Sequence, residues 1–89
     1  MLALPQELTQ TQATACLATL LDELGKQPAP NVVVDASSLR RFDSSALAVL
    51  LEFRRHCGVL GKQFSIRGLP NRLRDLAVLY GIADLLPTV

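Results

Sequence analysis

The chain has 89 residues, 49% hydrophobic and 19% charged, and nine Lys and Arg against eight Asp and Glu leave a formal net charge of +1. This length suits one domain with one core, with a stability near the lower end of the usual ~5–15 kcal/mol. The near-neutral balance and the small aromatic set, Phe42, Phe53, Phe64 and Tyr80, argue against a nucleic-acid binder, which would carry a basic face interleaved with aromatics.

Residues 2–8 hold a short apolar run interrupted by Pro5, which predicts an edge strand or an extended lead-in. No basic segment precedes the run, and Pro5 and Glu7 lie within it, so a signal peptide is not expected and a cytoplasmic location is. From Thr9 the pattern changes. Ala13, Cys16, Leu17, Leu20, Leu21 and Leu24 step by three and one, the spacing of one helix face. Thr9 with Gln12 has the form of a capping box, and Gly25 followed by Pro28 and Pro30 supplies the stop. Asn31-Val-Val-Val-Asp35 then predicts a buried strand over about 31–36, in a sheet covered by helices on at least one face.

After Asp43-Ser44-Ser45 a second helix is expected to run to about Gly61, with Ala46, Val49, Leu50, Phe53, Cys57 and Leu60 as its core stripe. The longest uninterrupted apolar stretch in the chain, Ala46 to Leu51, falls far short of the ~20 residues of a spanning helix. Lys62 to Gly68 alternates as a strand, with Phe64 and Ile66 on one side. Pro70-Asn71 opens a third helix, with Leu73, Leu76, Ala77 and Tyr80 inward, that ends at Gly81; the tail from Ile82 to Val89 adds a last strand or simply packs. The order β-α-β-α-β-α predicts a layered α/β domain with at least one parallel pair.

Little here supports catalysis. Ser44 and Ser45 lack the flanks of a nucleophile elbow, and His56, the only histidine, lies ~18 Å further along the same helix as Ser44. Asp35, Asp43, Glu52 and Asp75 show no diagnostic pairing. Cys16 and Cys57 sit at apolar helix positions and are expected to be buried thiols. With one histidine and no close cysteine pair, neither a metal site nor a cofactor is expected.

The segment Phe42-Asp43-Ser44-Ser45-Ala46-Leu47 stands apart, because polar residues meet a helix start that is at once apolar. Asp and Ser are favoured N-caps, and capping alone accounts for both. The same place would also stabilise a phosphate, through the free N–H groups of the first turn and the positive end of the helix dipole. Leu47, Ala48 and Leu51 make the first two turns apolar over more of their circumference than one sheet covers. In so small a domain this favours a partner surface over a deeper core.

From Val32 to Pro87 the sequence resembles the STAS domain family (sulfate transporter and anti-sigma factor antagonist), through Asp43-Ser44-Ser45-Ala46-Leu47 opening a helix after a strand. Its ending, LAVLYGIADLLP, resembles the MlaB-like branch, small standalone STAS subunits of the Mla phospholipid-transport ABC system. The resemblance implies a mixed sheet with helices mainly on one side, no enzymatic activity and no cofactor. It also implies binding to the transporter's cytoplasmic (MlaF-like) ATPase subunit at the inner-membrane face, in support of outer-membrane lipid asymmetry. In anti-sigma factor antagonists the serine matching Ser44 is phosphorylated, which makes such an antagonist the alternative.

Two departures stand out. Ala46 occupies a position where many relatives carry Gly, and with LALPQEL read as the second strand of the family, its usual first strand is expected to be absent. The second leaves a sheet edge open to a homodimer or to completion by a partner. The interface expected from the resemblance and the residues together comprises Asp43, Ser44, Ser45, Leu47, Ala48 and Leu51, with Arg40 and Arg41 placed to meet acidic partner residues and Asn71 and Arg72 at its border.

Overall fold

The valine run Asn31–Asp35 (β3) forms the centre of a three-stranded sheet in the computed structural model, which describes residues 2–89. Leu2–Ala3 (β1) and Gln63–Arg67 (β5) flank it, both parallel to it, with Leu2 opposite Val34, Val32 opposite Phe64 and Val34 opposite Ile66. Residues in register share a face. Leu2, Val32, Val34 and Ile66 are buried on one side, whereas Ala3, Val33, Asp35, Ser65 and Arg67 on the other are not. The chain advances from β1 to β3 to β5 in one direction, so right-handed crossovers place helices α1 (Gln10–Gly25) and α2 (Ser45–Val59) over the same, buried face.

The tail extends this progression. Thr88 pairs in parallel with Ile66, the Ile66 N–H donates to the Pro87 carbonyl at 2.8 Å, and the Val89 N–H donates to the Ile66 carbonyl at 2.9 Å. It therefore covers the outer edge of β5, and the crossover carries α3 (Asn71–Leu79) to the helical side as well. The expected layered α/β domain is present. Every ladder among the described residues is parallel, so the antiparallel strand of a mixed sheet is not among them.

Residues 2–8 divide at Pro5 into two strands of two residues each. The Leu4 N–H still donates to the Asp35 carbonyl at 2.8 Å, but Pro5 has no N–H with which to continue a ladder. The chain then turns away, and Glu7–Leu8 (β2) pairs in parallel with Arg41–Phe42 (β4) as a separate two-stranded sheet. Among the described residues the outer edge of β1 carries no strand.

The helices bury the stripes that their spacing implies, with differences at their ends. α1 buries Leu20 and Leu24 and half-buries Ala13, Cys16, Leu17 and Leu21. α2 buries Ala46, Leu47, Val49, Leu50, Phe53 and Cys57, and the Phe53 ring meets Phe64 edge to face at 5.9 Å. Leu60 and Tyr80, both expected in the core, are 56% exposed. Each occupies the C-cap position just before a glycine at positive φ, Gly61 at 70° and Gly81 at 73°, so the helical period no longer aims its side chain inward. Cys57 is fully buried and Cys16 only half so; burial raises both thiols above their ordinary value, which keeps them protonated and inert.

Two substitutions test this packing. Phe53→Ala removes a fully buried ring and its contact with Phe64, and is expected to cost ~3–5 kcal/mol in urea denaturation. Gly68 has φ +69°, and a Cβ there would approach the Ser37 Cβ to 2.8 Å and the Ser37 backbone to 3.1 Å. Gly68→Ala should therefore destabilise by ~1–3 kcal/mol, measured in the same way.

Candidate functional site

The one-way progression of strands brings the start of every helix to the edge of the sheet where the strands end. At that edge the β2–β4 pair ties together the two segments that enter α1 and α2, and the Arg40 and Arg41 N–H groups both donate to the Gln6 carbonyl, at 2.7 and 3.0 Å. Asp43 follows directly. One of its carboxylate oxygens accepts the Ser45 N–H at 2.8 Å and the other the Gln10 N–H at 3.2 Å. A single side chain thus serves the first turns of two helices, adding to the Thr9 N–H that donates to Gln12 Oε1 at 2.9 Å on α1.

Ser44 is the N-cap residue of α2, yet its side chain makes no capping hydrogen bond, and the residue is exposed. Its backbone carbonyl accepts from Leu47 at 3.1 Å and from Ala48 at 3.3 Å. Capping does not explain the Ser44 hydroxyl, because Asp43 already performs that task. The hydroxyl is presented to solvent on a helix start held from two directions. Ser45, half-buried, gives its N–H to Asp43.

The apolar excess around this point divides between core and surface. Leu47 is 2% exposed, so its side chain belongs to the core and is removed from the expected interface. Leu47 joins Ala46, Val49 and Leu50 in the one core cluster, so the buried part of α2 is wider than a single stripe. Ala48 is exposed and Leu51 half-buried, and these two remain at the surface. On one flank Ala48, Val49 and Glu52 face Ala13, Thr14 and Leu17 of α1 across a shallow depression of about 320 Å³. A second depression, of about 280 Å³, is lined by Phe42, Arg72, Asp75, Leu76 and Leu79. There the Arg72 guanidinium lies 5.2 Å from the Phe42 ring centre, and Leu79 is 77% exposed.

Leu76, which spacing assigns to the core, packs half-buried against it and also lines this depression, whereas spacing gives Leu79 no role. The signal lay in Leu79 falling outside the Leu73–Ala77 stripe. Arg40 and Arg41, expected to meet a partner, both have partners within the chain. Arg40 donates to the Ser37 carbonyl at 2.9 Å, and Arg41 forms an exposed ion pair with Glu7 at 3.5 Å. Asn71 and Arg72 lie exposed at the start of α3, as expected for the border.

His56 pairs with Glu52 on α2 at 3.3 Å, two turns or more from Ser44. Among the described residues no group of three or more His, Cys, Asp or Glu is placed to hold a metal ion, and no helix is long and apolar enough to cross a membrane.

The carboxyl of Asp43 is held below its ordinary value of 3.8, first by the Ser45 N–H, which outweighs the opposing effect of desolvation, and further by the Gln10 N–H. A carboxyl depressed in the folded state contributes stability that is fully present above its unfolded value and is lost as the pH falls through the folded value. Asp43→Ala should accordingly lower the melting temperature at neutral pH, and the gap to wild type should close as the pH falls below 3.8, followed by circular dichroism.

Against known families, the model of the STAS_2 family, described as Mlab, STAS domain, matches residues 1–87. No curated protein matches the chain.

Proposed function

The chain belongs to the STAS_2 family of STAS domains, and on that premise we propose that it is a non-enzymatic accessory subunit of an ABC-type phospholipid transporter of the Mla kind. It binds the cytoplasmic ATPase subunit of that system, supports its assembly and activity at the inner-membrane face, and so serves outer-membrane lipid asymmetry. The observation that carries this reading is the exposed Ser44 hydroxyl, free of any capping role, on a helix start that Asp43 holds rigid and that Ala48 and Leu51 surround with apolar surface.

Rigidity matters because an interface that is already ordered loses less entropy on binding. Ala48 allows close approach of a partner backbone, Leu51 supplies apolar area, and Phe42 and Leu79 add more in the second depression. Arg72, stacked on Phe42, offers a positive group at the rim. The same free hydroxyl favours the second reading, an anti-sigma factor antagonist switched by phosphorylation. A phosphate on Ser44 would add about −1.5 to −2 charges beside the Asp43 carboxylate, and a partner seated there would have to accommodate them.

Titration of the purified ATPase subunit of an Mla-type transporter from the same cell, by calorimetry, tests the first reading. Ala48→Asp and Ser44→Asp are expected to weaken binding about tenfold or more, equivalent to ~1.4 kcal/mol, with helicity unchanged. Leu47→Asp, which buries a charge, is expected to lose the fold instead. Wild-type affinity in Ala48→Asp would place the contact elsewhere. Failure to bind the ATPase, with phosphate transfer to Ser44 by a co-purifying serine kinase, would favour the second reading.

A further inference from the structure

The opposite end of α2 carries a separate concave site. A groove of about 520 Å³ is lined by Arg54, Arg55, Gly58, Val59, Lys62, Phe64 and Pro87, a size within the ~300–1,000 Å³ of ligand sites. By helical rise, Arg55 lies ~16 Å along α2 from Ser44, so this groove is distinct from the surface described above. Its lining includes three cations and no carboxylate.

The cations differ in how they are held. Lys62 Nζ donates to the Gln27 and Ala29 carbonyls, both at 2.7 Å, which fixes its position, and the Arg55 guanidinium is oriented by Glu52. Arg54 is exposed, with no hydrogen-bond or ion-pair partner among the described residues. Between them lies an apolar floor. Val59 is 77% exposed, and Phe64 is half-buried with its ring held edge to face against Phe53.

Gly58 supplies an independent observation. It lies within α2, where glycine is the poorest helix former apart from proline. A Cβ at this position would meet nothing within 4 Å, so packing within the chain does not require its absence. The missing side chain instead leaves the groove open between Arg54, Arg55 and the floor.

We propose that this groove docks an acidic peptide segment of a partner protein, with an apolar anchor side chain seated on Val59, Phe64 and Pro87 and a flanking carboxylate paired to Arg54. Charge complementarity selects the acidic flanks, since Arg54 is unpaired, the lining has three cations and no acid, and the one neighbouring carboxylate, Glu52, is already engaged by Arg55 and His56. Concavity selects a peptide over a bilayer surface, because a plane would touch the arginine rim and leave the floor empty. The site does not depend on the Ser44 reading. With both surfaces occupied, the domain would hold two partner elements at the two ends of one helix.

A display library of random linear peptides, selected on the wild-type protein and counter-selected on Gly58→Trp, tests the proposal. The expected result is enrichment of sequences with Asp or Glu around a Leu or Phe. A synthetic peptide of the leading sequence should then shift the amide NMR signals of Arg54, Gly58, Val59 and Phe64. Arg54→Glu, a surface change that leaves the core untouched, should weaken that peptide about tenfold or more, and Arg74→Glu on α3 should not. Four outcomes would overturn the proposal: no enrichment over the counter-selection, a consensus without acidic residues, binding that survives Arg54→Glu, or no peptide binding together with Arg54-dependent sedimentation on phosphatidylglycerol vesicles.

Discussion

The progression of parallel strands in one direction, β1 to β3 to β5 and on to the tail, is the constraint from which the rest of the structure follows. Because crossovers between parallel strands are right-handed, all three helices fall on one face of the sheet and all begin at the same edge. That edge then gathers several backbone N–H groups that the helices themselves cannot satisfy. Asp43 answers part of this demand for two helices at once, and it can do so only because the β2–β4 pair brings Gln10 within 3.2 Å of its carboxylate.

This arrangement gives three consecutive residues different surroundings. Asp43 caps, Ser45 gives its N–H to that cap, and Ser44 between them is left with an unused hydroxyl in solvent. A helix start stabilised by its own N-cap hydroxyl would have to break that bond in order to engage a partner or accept a phosphate. Moving the cap one residue upstream leaves the Ser44 hydroxyl outside the hydrogen bonding that holds the start of α2. The arginines nearby follow a similar division, with Arg40 and Arg41 tying loops together and Arg72 held over Phe42 at the rim.

The second end of α2 shows how a small domain can afford more than one surface. Helices packed on one face of a sheet have their outer sides free, and α2, which touches both α1 and β5, still leaves its last turns uncovered. There Gly58, Val59 and the two arginines lie at solvent, while the core side of the same turns is filled by Phe53 and Cys57. The two ends of the helix thus differ in character, one apolar around a free hydroxyl and the other cationic around an apolar floor.

Much of this was legible in the order of residues. The three helices, the strands around Val33 and Ser65 and the helix start at Asp43-Ser44-Ser45 all follow from local periodicity and capping chemistry, which act over a few neighbouring residues. What local pattern could not decide was which of two adjacent apolar stripes on α2 faces water. Leu47 and Leu51 look alike in the sequence, but Leu47 is enclosed in the core cluster and Leu51 is only half-buried, a difference set by what other segments bring against each side of α2. Nor could periodicity show that Leu60 and Tyr80 lie just past the last helical turn, or that Asp43 reaches across to α1. Sequence determined the helices, the two long strands and their order, because these depend on nearest-neighbour sterics and hydrogen bonding. Burial, the shared cap and the two surfaces of α2 were decided by tertiary packing, because each depends on what another segment brings within reach.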